Sequence, residues 1–140
     1  MTERRVLKRI ASFEVPLLPP VSQSPNARVH WAVRARERKE FMRAVGLAVL
    51  AAGIKDWKLT GVEITGELIV VERRRRDSDN LMIRFAKPIL DSLVRLGVLV
   101  DDSVEHVVVR SVVAVIDPVR APKTVVEIWQ GGGMTERTAA

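Results

Sequence analysis

Apolar and polar positions alternate along Val62–Glu72. Val62, Ile64, Leu68 and Val70 fall on one side, with Glu63, Thr65 and Glu67 on the other. A period of two predicts a half-buried strand. Ala11–Leu18 carries a weaker version, with Phe13, Val15 and Leu17 on one face, and Pro16 predicts an edge or a bend there. The first nine residues are polar and basic and are expected to fray, and Pro19–Asn26 reads as a loop from its Pro, Ser and Asn content. Over Trp31–Ala52 the period lengthens. Phe41, Val45, Ala48, Val49 and Ala52 share one helical face, and Gly53 is suited to ending the helix. Asn80–Leu96 repeats the helical pattern through Leu81, Phe85, Ile89, Leu93 and Leu96, stops at Gly97, and must kink or restart at Pro88. Val107–Ile116 and Thr124–Trp129 predict two further strands, with 118–122 as the turn of a hairpin. The tail 131–140 lacks a pattern.

The predicted order is strand, helix, strand, helix, strand, strand. It implies an α/β fold of α+β character: a small mixed sheet of about four strands covered by two main helices. A chain of 140 residues suits one domain, here residues 1–130. No apolar run reaches the length of a membrane span, and no signal-like stretch comes after the start, so no membrane role is expected. The absence of cysteine excludes disulfides and thiolate metal sites and makes a cytoplasmic location the default. The formal charge of +6 favours polyanionic partners, nucleic acid first among them. Aromatic residues at 4%, with no tyrosine, disfavour a protein that binds single strands on a row of rings.

The chemistry is concentrated where the second strand meets the second helix, at Arg73-Arg74-Arg75-Arg76-Asp77-Ser78-Asp79-Asn80-Leu81. If the strand runs on through Asp77, then Asp77 and Asp79 project to the same side. Adjacent carboxylates repel unless they share a proton or bind a cation, and hard oxygen ligands suit magnesium or manganese. Equally, Ser78, Asp79 or Asn80 serves as a helix N-cap, and the four arginines as a solvated strand end. Asp101-Asp102 comes after the second helix and reads either as a turn or as the remainder of an acidic site. That helix is long, so only a chain folded back at Pro88 would bring Asp102 to Asp77 and Asp79. Lys87 and Asp91 stand four apart on one helical face. Arg36, Lys39 and Arg43 form a basic stripe on the first helix, either a solvated surface or a contact for DNA. His30 and His106 are isolated, and no metal-binding histidine spacing or phosphate-binding glycine loop is present.

Three blocks in order, Arg-Arg-Arg-Asp77-Ser-Asp79-Asn80-Leu81, then Lys87-Pro-Ile-Leu-Asp91-Ser-Leu93, then Gly97-Val-Leu-Val-Asp101-Asp102, resemble the RusA family of Holliday junction resolvases. Ser24-Pro25-Asn26 is similar to the family's loop after the first strand. The resemblance implies a small α/β homodimer that cuts four-way and other branched DNA with Mg2+, for which Mn2+ is a possible substitute, in a bacterial or phage-infected cell. It implies that Asp77, Asp79 and Asp102 are the essential metal-holding carboxylates and Lys87 the essential lysine, with Asp91 and Asp101 as further acidic positions. Met82-Ile83-Arg84-Phe85 lengthens the gap before the lysine relative to the best-known members, so Arg84 is a rival for its role. Arg73, Arg74, Arg75, Arg76 and Arg84, with Arg36, Lys39 and Arg43, are the expected DNA contacts, and Val112 and Val113 of the hairpin are candidates for the dimer interface. Two other readings are a branched-DNA binder that does not cut and a basic RNA-binding or regulatory module.

Overall fold

The computed structural model describes residues 6–25, 27–72 and 78–131, with Ser78 and Asp79 described by backbone alone. Four strands, β1 (Leu7–Val15), β2 (Val62–Val70), β3 (Val107–Ile116) and β4 (Lys123–Gly131), form one mixed sheet in the order β1-β4-β2-β3. Two helices, α1 (Trp31–Ala52) and α2 (Ser78–Arg95), pack on one face of it. The fold is thus the expected helix-covered mixed sheet.

Its core is a single apolar cluster. Phe41, Val45 and Val49 of α1 and Leu81, Phe85, Ile89 and Leu93 of α2 meet Phe13, Val15, Ile64, Leu68, Val126 and Ile128 of the sheet. These are the faces that the periods of the sequence mark, except that Leu17 lies beyond the end of β1 and is exposed, and Ala52 in the last turn of α1 is exposed as well. Burial of that apolar surface is what commits amphipathic helices of this length to their positions. Gly53 and Gly97, at φ of 71° and 70°, end the two helical segments in the left-handed region that favours glycine. At Gly97 a β-carbon would also lie 2.5 Å from Asp56 Oδ1, so that position is closed twice over.

Three expectations are corrected. First, β3 and β4 do not form a hairpin: β2 lies between them, parallel to β3 and antiparallel to β4. The turn at 117–122 is instead a wide crossing held by Asp117, whose Oδ1 accepts from the backbone of Val119 (3.0 Å) and Arg120 (3.2 Å). The Arg120 guanidinium, 2.6 Å away, holds the Asp117 carboxyl below its ordinary pKa. Val112, placed in a hairpin by sequence, faces the core, while Val113 is exposed. Second, the chain enters the sheet at Leu7. Leu7, Lys8 and Arg9 pair with Gly131, Gln130 and Trp129 because β4 offers a free edge that local polarity cannot reveal. Third, α2 passes through Pro88 as one helix, so the chain does not fold back there.

Phe85 is fully buried against the glycine of β2: a β-carbon built on Gly66 would lie 2.5 and 2.6 Å from two atoms of its ring. Gly66→Ala is therefore expected to destabilise the fold by about 1–3 kcal/mol. Urea denaturation of Gly66→Ala, Phe85→Leu and the double variant should show a double-variant loss smaller than the sum of the single losses.

Candidate metal and nucleic-acid site

The direction of the strands decides which residues can meet. β1 and β2 are both antiparallel to β4, so they point the same way, and β3 runs with them. The chain leaves β2 at Val70 and returns along α2 to start β3 beside Val62. The start of α2 therefore lies at the carboxyl-terminal end of β2 and β3, and its finish at their amino-terminal end.

Asp77 and Arg73–Arg76 lie outside the described residues. Asp79 belongs to the first turn of α2, and β2 has already ended at Val70, so strand alternation does not govern it. Asp102 lies at the other end. Val98 and Leu99 donate to the Leu93 carbonyl, and Leu99 bridges Leu59 in parallel fashion just before β2 begins. Asp79 and Leu93 are about 21 Å apart along the axis of α2, at roughly 1.5 Å of rise per residue. One chain thus keeps Asp79 and Asp102 at opposite ends of its helix. Among the described residues no three His, Cys, Asp or Glu side chains gather to hold a metal. Asp102 is exposed, and its carboxylate has no partner among the described residues. Asp101 accepts the Asp102 backbone N–H at 2.8 Å, the geometry of a turn.

The remaining candidates divide between structure and solvent. Asp91 accepts an ion-paired hydrogen bond from Arg38 of α1 and so ties the two helices together. Sequence spacing offers Lys87 as its neighbour instead. It misses Arg38, because a partner on another helix leaves no spacing signal. Lys87 is exposed and makes no hydrogen bond or ion pair among the described residues. Arg84, its rival, is half-buried and donates through Nε to the Pro19 carbonyl at 2.6 Å, which holds the loop after β1 against α2. Lys39 and Arg43 join Arg38 and Arg95 around a groove of 560 Å³ between the helices, floored by Met42 and Leu96. Arg36 is exposed on α1 outside that groove. His106 is occupied in fixing the start of β3: its ring Nδ1 lies 2.6 Å from Thr60 Oγ1, and its carbonyl accepts from Val62. No helix among the described residues is long and apolar enough to cross a membrane.

Comparison with known protein families finds no matching family, and no curated protein matches the chain.

Arg38 and Asp91 are both about one quarter exposed, so their pairing should contribute to stability, whereas Lys87 should not. A double-mutant cycle of Arg38→Ala and Asp91→Ala is expected to return a coupling of about 1 kcal/mol. Lys87→Ala should stay within about 0.5 kcal/mol of the parent in the same denaturation assay.

Proposed function

We propose that this chain is a magnesium-dependent endonuclease that cuts four-way and other branched DNA, as its resemblance to the RusA resolvases implies, and that it works as a two-fold dimer. The observation that carries the reading is the acidic motif split over the two ends of one helix: Asp79 in its first turn, two residues after Asp77 in the sequence, and Asp102 beyond its foot, without a partner among the described residues. A basic run precedes the head, and the chain as a whole carries +6.

The donor chemistry fits a hard divalent cation, since all three groups offer carboxylate oxygens. The arrangement within one chain does not, because Asp102 is a helix length away. A second copy removes the conflict. β3 is an edge strand of ten residues with Val108, Val113 and Ile116 exposed, and such an edge is a template for pairing. Antiparallel pairing of two β3 edges about a two-fold axis carries the beginning of one β3 to the end of the other. Asp102 then approaches the end of the sheet that holds the partner's Asp79. Two such composite sites related by a two-fold axis suit the symmetry of a four-way junction, where opposed strands are cut in pairs.

Bound magnesium would activate water and offset charge on the phosphodiester. The chain's own groups do the rest. Lys87, without a partner among the described residues, would offer its ammonium to the phosphate, while Arg73–Arg76, Lys39 and Arg43 would hold the backbone through contacts that weaken steeply as salt rises. A branched-DNA binder that does not cut would share this surface but not the metal dependence, and a regulatory RNA-binding module would lack the preference for branches as well.

Cleavage and binding of a synthetic four-way junction, with magnesium and with EDTA, test the reading. Asp79→Asn and Asp102→Asn should each keep binding and lose cutting. Mixed in equal amounts and allowed to exchange subunits, the two inactive variants should regain cutting: the mixed dimer pairs the intact Asp79 of one copy with the intact Asp102 of the other. Wild-type cutting by either single variant would defeat the assignment of the carboxylates. Inactivity of a mixture shown to contain mixed dimers would defeat the shared site.

A further inference from the structure

α1 starts outside the core. Its first ten residues, Trp31–Glu40, bury no side chain, and Phe41 is the first that does. At the tip stands Trp31, 75% exposed. A tryptophan left so open forgoes the burial that makes this residue one of the strongest contributors to cores and interfaces. The other two tryptophans are less open. Trp129 is half-buried with its indole N–H donating to Thr65 at 3.1 Å, and Trp57 is 45% exposed.

Trp31 is not loose. Its ring stacks on His30, with centroids 5.6 Å apart and planes 30° from parallel. His30 is itself fixed, because its Nδ1 accepts the Ala32 backbone N–H at 3.1 Å. The loop behind the pair is tied down too: Arg34 donates to the Ala27 carbonyl, Gln23 donates to the Arg34 carbonyl, and Arg84 holds Pro19. The result is a preformed aromatic step whose outer face is open, at the end of the sheet where α2 and its Asp79 begin. Arg28, three residues before Trp31, and Arg36, five residues after it, are exposed, and the first turn of α1 carries no acid. Ala35, Lys39 and Met42 continue the same side of α1 at helical spacing into the basic groove.

We infer that the His30–Trp31 step is a nucleobase-stacking contact, taking a base left unpaired at a branch of DNA. It rests on the proposed action on branched DNA and adds the group that would tell a branch from a plain duplex. An aromatic face amid cations suits a nucleotide on both counts, since every base has a flat π-face and every linkage a negative charge. In a paired duplex the bases are stacked on one another and offer no free face, so the step contributes nothing there. One stacking step also accommodates the small number of aromatics, because a branch point exposes only a few bases. A protein surface would use the apolar ring but would not need the surrounding cations, and burial of Trp31 against a second copy would show itself in the oligomeric state.

The test uses the full chain with calcium in place of magnesium, so that DNA stays whole. The probes are a four-way junction carrying 2-aminopurine at the branch point and a linear duplex of the same arms. Trp31→Ala should weaken junction binding roughly tenfold, leave duplex binding unchanged, and abolish the 2-aminopurine fluorescence change that the parent produces. Trp31→Phe should restore most of both, and Trp57→Ala should behave as the parent. Parental junction preference and fluorescence response in Trp31→Ala would overturn the inference. So would a loss that sedimentation traces to a changed oligomeric state, or a parent that binds no DNA. Cutting is scored separately in magnesium. A parent that binds and stacks but never cuts defeats the nuclease reading and leaves the stacking contact standing.

Discussion

The parallel pairing of β2 with β3 constrains everything else in this molecule. Parallel neighbours need a connection that returns the chain to the starting end of the sheet, and here α2 supplies it. Its length then sets the residues before it far from those after it. Asp79 and Asp102 are near neighbours in the motif but are divided by most of that helix. The crossover cannot shorten, because Leu81, Phe85, Ile89 and Leu93 are all buried on the sheet and Phe85 is seated over Gly66. A carboxylate site drawing on both ends, as proposed, would therefore need two chains. In the proposed dimer the edge strand β3 would be the seam, since it lies beside β2 with its outer backbone unpaired among the described residues and three apolar side chains exposed.

The same architecture brings the exposed Trp31 to the end of the sheet where α2 begins. Because β1 runs in the direction of β2, the loop after β1 and the start of α1 arrive at the end where α2 begins. Arg84 and Pro19 close that junction, and Arg38 and Asp91 close the helices further down. Beyond these ties projects the charged first stretch of α1, with Trp31 at its tip. Rigid fastening behind a projecting aromatic lowers the ordering cost of any contact it makes.

Much of this fold is legible in the sequence. The limits of α1 come from its period and from Gly53, and those of β3 from a run rich in β-branched residues. The apolar face of α2 can be read residue by residue. Pairing is less visible, because alternation identifies a strand without naming its neighbour. Nothing local in 107–129 reveals that β2 enters between the last two strands, or that Leu7–Arg9 are drawn into order by the edge of β4. In the candidate site, the acidic residues can be picked out by type and spacing, but their separation cannot, since it depends on α2 remaining one helix through Pro88. The tie between Arg38 and Asp91 joins residues far apart in the chain. Trp31 is legible only as the start of a helix, because exposure is a property of the fold rather than of the residue.

The central claim is that the acidic motif becomes a metal site only when two chains meet. The most direct measurement is Mn2+ binding by electron paramagnetic resonance across a protein dilution series, with sedimentation run on the same samples. The account predicts that bound Mn2+ rises and falls with the dimer fraction and vanishes in the monomer. Mn2+ held at full stoichiometry by the monomer, or a dimer that binds none, would contradict it.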